Sequence, residues 1–347
     1  MKAVDAGPGQ EPIDAVYLWV DGEDPGLRSA LERWRHGLAD GNSSGGRRFR
    51  DNGELKHSLR SLERHAPWIR NVFIVCAGVP PAWLDTTQPG LRTVRHDEIF
   101  PDPTVLPTFN SCAIELNLHR IPGLSRRFLY LNDDFFLVQD TPPGWFLPAD
   151  GPPRFFFEPN PIPLRGASRT VHDRACAYTL RRQPWKGPRH SPALATSRTG
   201  WRSLLGLPPP LNMPAHVPQL YDQETIRDLE IRFPSEFRAT RSHRFRAPDD
   251  LALRILYSCT GLARGQLQAV GLEWCSSDYL FVRLVDDQER TRKVLAPLEQ
   301  YPPPRFLCAN DDVLSEDSNP PALLHWKEVM ARCWPRPSRF ERIPAPL

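Results

Sequence analysis

Long apolar runs are missing from this chain. No stretch approaches the roughly eighteen residues that span a bilayer, and the opening MKAVDAGPGQEP lacks the apolar segment of a signal peptide. Cysteine is sparse and scattered: Cys76, Cys112, Cys176, Cys259, Cys275, Cys308 and Cys333 are odd in number and form no Cys-x-x-Cys pair. That argues against a disulfide framework or a zinc ribbon and for reduced thiols. Lysine is scarce, so arginine supplies nearly all of the 44 basic residues and favours forked contacts to phosphate over diffuse positive charge. With 41 acidic residues the formal net charge is only +3, too even for a nucleic-acid binder driven by bulk charge. There is no GxxxxGK[ST], GxGxxG or HExxH string, and no GxSxG nucleophile elbow, since GNSSG at 41–45 falls in a Gly- and Ser-rich loop; this removes the usual support for phosphate-loop enzymes, dehydrogenases, zinc proteases and serine hydrolases. No internal repeat or low-complexity tail is present. The expectation is a cytoplasmic globular protein without a transmembrane segment or nucleic-acid partner. Peripheral membrane association and homo-oligomerisation stay open.

What is there is an ordinary core-forming composition: 347 residues, 40% hydrophobic and 24% charged, with 39 prolines against 21 glycines. Proline without a collagen period predicts rigid loops. Residues 14–20 (DAVYLWV) read as a strand closed by Asp21-Gly22, and a basic helix-like segment follows at 28–35. After a Gly- and Ser-rich loop, Asp51 can cap a helix in which Glu54 sits three residues on and Leu55, Leu59 and Leu62 share one face. Residues 71–75 (NVFIV), 91–95 and 127–131 (RFLYL) read as further strands. Residues 111–120 read as one helix with Ile114 and Leu118 inward and Glu115 beside His119. Such alternation predicts an α/β sheet with much parallel pairing. Residues 141–210, rich in Pro, Arg and Trp, read as a loop-rich insertion. Helices return after Asp222 and over 248–262. A last strand at 305–309 leads to a final helix over 321–333. The division is 1–140 and 211–347 as parts of one catalytic domain, with the insertion between.

The most informative string is LYLNDD at 129–134. An apolar strand ending in adjacent carboxylates places hard oxygens at the carboxyl edge of a sheet, where open α/β sheets bind ligands. Such oxygens suit Mg²⁺ or Mn²⁺, and a divalent ion suits a diphosphate. The bland alternative is an Asn-Asp turn capping the next segment. A second strand ending in Asn310-Asp311-Asp312 allows Asp134 to share one cation with Asp311 or Asp312. His216, between two prolines in PAHVP, is either a general base or a structural loop histidine. Arg241, His243, Arg244 and Arg246 form either a phosphate clamp or a solvated basic face. In isolation, Glu115 with His119 reads as an exposed ion pair. YLWVDG is either a nucleoside-stacking edge or core.

Together these blocks resemble the Stealth family of hexose-1-phosphate transferases. The resemblance runs through IDAVYLWVDGEDP at 13–25, the long block at 48–134 that opens RFRDNGELKHSL and closes on FLYLNDD, MPAHVPQLYDQETIRDLEIRFPSEFRATRSHRFRAPDDL at 213–251, and FLCANDD with a later SRFE. It implies a glycosyltransferase-A-like, Rossmann-like mixed sheet flanked by helices, with a helical C-terminal part. It also implies transfer of an intact sugar-1-phosphate from a UDP-sugar, UDP-GlcNAc by preference, to a carbohydrate acceptor with release of UMP, in surface or capsular polysaccharide synthesis. Carried over residue by residue, it implies catalytic roles for Glu115 in AIEL, Asp134 in LNDD, His216 in PAHVP and Arg246 in HRFR. Donor contacts would come from Arg50, Asp51 and Asn52, with Asp21. The short stretch between the blocks resembles a minimal bacterial form. Two rivals remain: a conventional metal-dependent glycosyltransferase that releases UDP, and a non-catalytic carbohydrate- or phosphate-binding protein.

Overall fold

Ile13, Val16 and Tyr17, residues that favour extended backbone, build the first strand, β1 (Ile13–Leu18, IDAVYL), and it is buried on both faces, as a central parallel strand must be. The computed structural model describes residues 11–35, 49–161, 212–315, 317 and 319–342. β1 pairs in parallel with β2 (Val72–Cys76) on one side and β4 (Arg127–Asn132) on the other. β3 (Leu91–Arg95) adds in parallel beyond β2, and β8 (Gln219–Asp222) closes the far edge antiparallel to β4. The main sheet therefore runs β3-β2-β1-β4-β8. The fold is a mixed α/β one with predominantly parallel pairing, as the alternating pattern implies.

Period-two alternation divides β1 between two cores. Val16 packs with Phe128, Tyr130 and the helices α5 (Gln223–Arg232) and α7 (Leu253–Ala263). Ala15 and Tyr17 pack on the opposite face with Leu55 and Leu59 of α2 (Glu54–His65). That second core continues into another sheet, in which β11 (Phe306–Asp311) lies parallel to β10 (Tyr279–Leu284) and antiparallel to β5 (Phe135–Leu137). The outer face of this sheet is covered by α8 (Gln288–Leu295) through Leu295 and by α9 (Pro321–Cys333) through Trp326 and Met330. A third sheet joins β6 (Arg154–Pro161) to β7 (Asn212–Pro214) and β9 (Gln268–Gly271). α1 (Pro25–Arg35) occupies the basic segment after β1. Short helices α3 (His96–Ile99) and α4 (Ser111–Glu115) connect β3 to β4, and α6 (Pro234–Ser242) follows α5.

Several local expectations need correction. Asp51 is not the cap of α2. Gly53, at a left-handed φ of 91°, occupies that position, with Asp51 Oδ1 accepting its N–H at 2.7 Å and Glu54 Oε2 accepting the Asn52 N–H at 2.6 Å. The helix over 111–120 stops at Glu115. The Asn117 side chain takes the Ala113 carbonyl at 2.9 Å, the acceptor that a continuing helix would have used, and a 3₁₀ turn Leu118–Arg120 follows. The helix over 248–262 starts only at Leu253, because Asp250 is drawn into a turn that accepts the Ala247 N–H at 2.8 Å. Part of the expected insertion is a strand, β6, with Phe155, Phe156 and Phe157 fully buried; residues 162–211 lie outside the described residues. Tyr17 and Trp19 belong to the core, so that motif is not a stacking edge. No helix among the described residues is long and apolar enough to cross a membrane.

The amino end of the main sheet is tied by one buried carboxylate. Asp14, wholly excluded from solvent, accepts from Arg70 Nε and Nη2 at 2.8 and 2.6 Å, from the Ser125 N–H at 2.7 Å and from the Asn71 N–H at 3.1 Å. It thereby clamps the starts of β1, β2 and β4. Replacing it strands a guanidinium and two backbone donors, so Asp14→Ala should cost about 3 kcal/mol or more. Urea denaturation checks this as a lowered midpoint at unchanged slope.

Candidate functional site

At the opposite, carboxyl end of the sheet, β4 runs into β5 with only Asp133 and Asp134 between them. The two residues sit where the chain passes from the first sheet to the second. β11, which pairs with β5, holds this crossing in place: the Ala309 N–H reaches the Asp134 carbonyl at 3.2 Å, and the Cys308 thiol lies 3.6 Å from Asp134 Oδ2. Asp134 Oδ1 is buried and has no hydrogen-bond partner. Burial pushes the Asp134 carboxyl up to about 6, with His216 and the Cys308 thiol pulling it back. Asp133 is driven well above the carboxylate range by burial, then by the charges of Asp134, Glu54 and Asp51. Glu54, 6% exposed, is raised to about 7 by burial, although Asn52 donates to it.

The expected donor residues gather beside this pair. Arg50 Nη1 meets Asp311 Oδ2 at 3.2 Å, and Asn52 Nδ2 lies 3.3 Å from the same oxygen and 2.9 Å from Glu54 Oε1. The turn at Asp21-Gly22 is covered by the same segment, since a Cβ on Gly22 would run into the Phe49 carbonyl. Asp312 is turned away, half-exposed and 3.4 Å from Arg283 Nη1. Among the described residues no three His, Cys, Asp or Glu side chains are gathered as a ready-made metal cage. The donor set nonetheless fits a hard cation, because Mg²⁺ in phosphate sites takes one or two carboxylates and completes its shell with water and phosphate oxygens. The unpartnered Asp134 oxygen beside Asp133 meets that requirement, whereas Asp311 already has Arg50 and Asn52.

On the other side of Asp134 stands His216, in the turn between β7 and β8. Its Nδ1 lies 2.9 Å from Glu158 Oε1, and its backbone N–H lies 3.4 Å from the same oxygen. Glu158, at the end of the buried Phe155-Phe156-Phe157 run, also accepts from the Tyr279 hydroxyl at 3.0 Å. Burial pushes Glu158 upward, but the bonds from His216 and Tyr279 outweigh it and hold the carboxyl below its usual value. An Nδ1–H donated to Glu158 leaves His216 Nε2 as the acceptor, 3.4 Å from Arg254 Nη1. Arg254 and Arg246 both temper Glu115, whose carboxyl is raised by burial and lies 3.2 Å from the Tyr130 hydroxyl. Arg246 Nη2 is held by Ser111 Oγ at 2.6 Å.

Glu115, Asp134, His216 and Arg246, distant in sequence, therefore converge on one centre. His119 does not join them: it is 4% exposed and bonds Glu230 at 2.9 Å, so its expected exposed pairing with Glu115 is absent. The basic cluster divides. Arg241 pairs with Glu230 at 2.5 Å, His243 with Asp250 at 2.8 Å, and Arg244 lies over Trp34 at 3.8 Å; only Arg246 turns to the site. A cavity of about 240 Å³ lined by Arg126, Asp222 and Tyr257 lies at the other end of β4 and shares none of these groups.

Sequence reasoning missed Glu158 and Arg254, and read Asp133 only as the neighbour of Asp134 in LYLNDD. Glu158 and Arg254 each carry the signal that singled out LYLNDD, a lone charge in or at the end of an apolar run (RFFFE and LALRILY). Cys308 carried no such signal.

Fold and site together define a mixed α/β protein with a carboxylate-, histidine- and arginine-lined centre at the carboxyl ends of its strands. Three conserved regions, described as Stealth protein CR1, CR2 and CR3, match residues 11–39, 48–155 and 215–258, more than half of the chain. The chain belongs to the Stealth family. Exopolysaccharide phosphotransferase SCO6023 of Streptomyces coelicolor is 37% identical over 70% of this chain and 38% of its own length. Exopolysaccharide phosphotransferase SCO2594 of the same organism is 32% identical over 95% of this chain and 52% of its own length. Exopolysaccharide phosphotransferase CpsY of Mycobacterium tuberculosis is 31% identical over 96% and 58%. The chain thus spans about half the length of these relatives, less in the first case. Among solved structures, galactosyltransferase LgtC overlaps 96% of this chain and 98% of its own at a TM-score of 0.42 and 11% identity. Mouse xyloside xylosyltransferase 1 overlaps 86% and 98% at 0.36 and 11%.

An aspartate titrates near 4 in an unfolded chain and at about 6 at position 134 in the folded one. The folded state holds the extra proton between those values, so stability falls as pH rises through that window. In buffer with chelator, Asp134→Asn should melt above the wild type at about pH 8, and the gap should close below about pH 4. Calorimetry at the two pH values checks this. A gap of equal size at both would contradict a buried, ionising Asp134.

Proposed function

We propose that the chain forms the transfer centre of a sugar-phosphate transferase. It moves hexose-1-phosphate from a UDP-sugar, UDP-GlcNAc by preference, to a carbohydrate hydroxyl and releases UMP, in the assembly of an exopolysaccharide. The observation that carries this reading is His216, with Nδ1 held by the buried Glu158 and Nε2 facing Arg254 Nη1 at 3.4 Å, close enough to Asp134 for its charge to act on that carboxyl. The names of the relatives, exopolysaccharide phosphotransferases, support the same reading.

The chemistry follows from these positions. The acceptor hydroxyl oxygen attacks the β-phosphorus of the donor and forms the new P–O bond. The bond from that phosphorus to the bridging oxygen breaks, and UMP departs with the bridging oxygen. His216 Nε2 takes the hydroxyl proton, and the Glu158 carboxylate stabilises the imidazolium that results. Arg246 and Arg254 face the charge that develops on the phosphoryl oxygens. Glu115, set between these arginines and Tyr130, fixes their orientation and offers an acceptor to a sugar hydroxyl. Arg50 and Asn52 align the nucleotide end of the donor. Asp133 and Asp134 would hold a Mg²⁺ or Mn²⁺ ion, which supplies neutralisation of the diphosphate when bound.

Phosphorus NMR of the protein with UDP-GlcNAc, Mg²⁺ and sugar acceptors tests the reading. UMP with a new phosphodiester resonance is expected, whereas UDP without one would replace it with conventional glycosyl transfer. His216→Gln should lower the rate by about 10²–10⁴-fold. Glu158→Gln, which keeps the hydrogen bond but not the charge, should fall between that variant and the wild type.

A further inference from the structure

Along β10, alternate residues turn to the face that carries Cys308. Tyr279 is fully buried, with its hydroxyl on Glu158. Two residues on, the Phe281 ring lies 5.3 Å from the His216 ring, tilted by 40°. Trp274, from the loop between β9 and β10, stacks on Phe281 with ring centroids 5.9 Å apart and planes at 30°. His216, Phe281 and Trp274 thus form a ladder of rings from the transfer centre to the surface. Its outer rung is 46% exposed.

The loop that presents Trp274 is fixed by its own bonds. The Ser276 N–H donates to the Tyr279 carbonyl at 3.1 Å, and Ser276 Oγ accepts from the Tyr279 N–H at 3.2 Å. An exposed indole costs solubility, and two features distinguish this one from other exposed apolar side chains. Trp34 is covered by the Arg244 guanidinium at 3.8 Å, whereas among the described residues Trp274 stacks on Phe281, the ring next to the candidate base. Next to the inner rung, the Arg283 guanidinium of the exposed Arg283–Asp312 pair lies 5.9 Å from the Phe281 ring and offers donors and acceptors along the ladder.

We infer that Trp274 and Phe281 are the acceptor platform: a pyranose of the acceptor glycan stacks its C–H face on the Trp274 indole. A pyranose presents weakly positive C–H hydrogens on its faces and hydroxyls around its rim. That pattern complements the negative face of an indole at the end of a ladder with polar side chains along it. Trp274 stands two stacking steps from His216, so the stacked sugar is a neighbour of the unit whose hydroxyl reacts. The platform therefore reads a stretch of glycan rather than a monosaccharide. This inference rests on His216 marking the transfer centre.

Saturation-transfer-difference NMR tests it without turnover. The probes are maltotetraose, cellotetraose, chitotetraose and mannotetraose, each offered singly, with UDP as a separate donor-side probe. Wild-type protein should transfer saturation to the ring C–H protons of at least one tetrasaccharide. Trp274→Ala should weaken that binding about tenfold, the loss of roughly one stacking contact, and Trp274→Phe should retain most of it. The uridine signals should be the same in all three proteins. No saturation of any tetrasaccharide by the wild type, or equal saturation by Trp274→Ala, would overturn the platform. Missing uridine signals in the wild type would instead overturn the nucleotide-sugar reading, which keeps the two failures apart.

Discussion

The site depends on one crossing of the chain. β4 belongs to a parallel sheet and β5, three residues later, to another, so the peptide between them must pass through a seam bounded by both sheets. Asp133 and Asp134 occupy that seam. Charged carboxylates in a seam of this kind raise each other's affinity for protons and for cations. The fold tolerates this because β11 pins the crossing through the Ala309 amide and the Cys308 thiol. Stability is given up at the seam and supplied elsewhere, among other places by the Asp14 clamp at the far end of the same strands.

On one flank of the seam, Arg50 and Asn52 converge on Asp311 while Glu54 lies buried behind them. On the other, Glu158 orients His216, and Arg254 and Arg246 confront Glu115. Negative charge is therefore concentrated at the centre, with arginines on both sides. That is an arrangement for a substrate that carries its own negative charge and brings or shares a cation. Arginine suits these positions, because forked guanidiniums keep their geometry and charge where an ammonium would lose them on burial.

Part of this was legible because the physics is local. LYLNDD announces a buried strand ending in carboxylates. Leu55, Leu59 and Leu62 fall on one buried stripe of α2, Asp222 caps α5, and Pro321–Cys333 is a helix with the bounds its pattern implied. The errors came where a side chain or a backbone turn redirected a helix end. Asn117 took the carbonyl that would have prolonged α4, and Gly53 displaced Asp51 as the start of α2. The four residues carried over from the family resemblance converge. The basic cluster did not behave as a unit, because Arg241, His243 and Arg244 each found a partner in another element.

The amino-acid sequence by itself determined the α/β class, the position of most strands and helices, and the residue types at the centre. These follow from periodicity and from charges that interrupt apolar runs, and both act over a few residues. Tertiary structure alone decided which carboxylates remain unpartnered. Asp134 is left with an open oxygen, Asp311 is claimed by Arg50, and Asp312 turns toward Arg283. It also decided that Glu158, fifty-eight residues from His216 in the chain, is the group that sets which histidine nitrogen is left to accept. A lone pair is directed by whatever stands opposite it in space, and no separation along the chain encodes that.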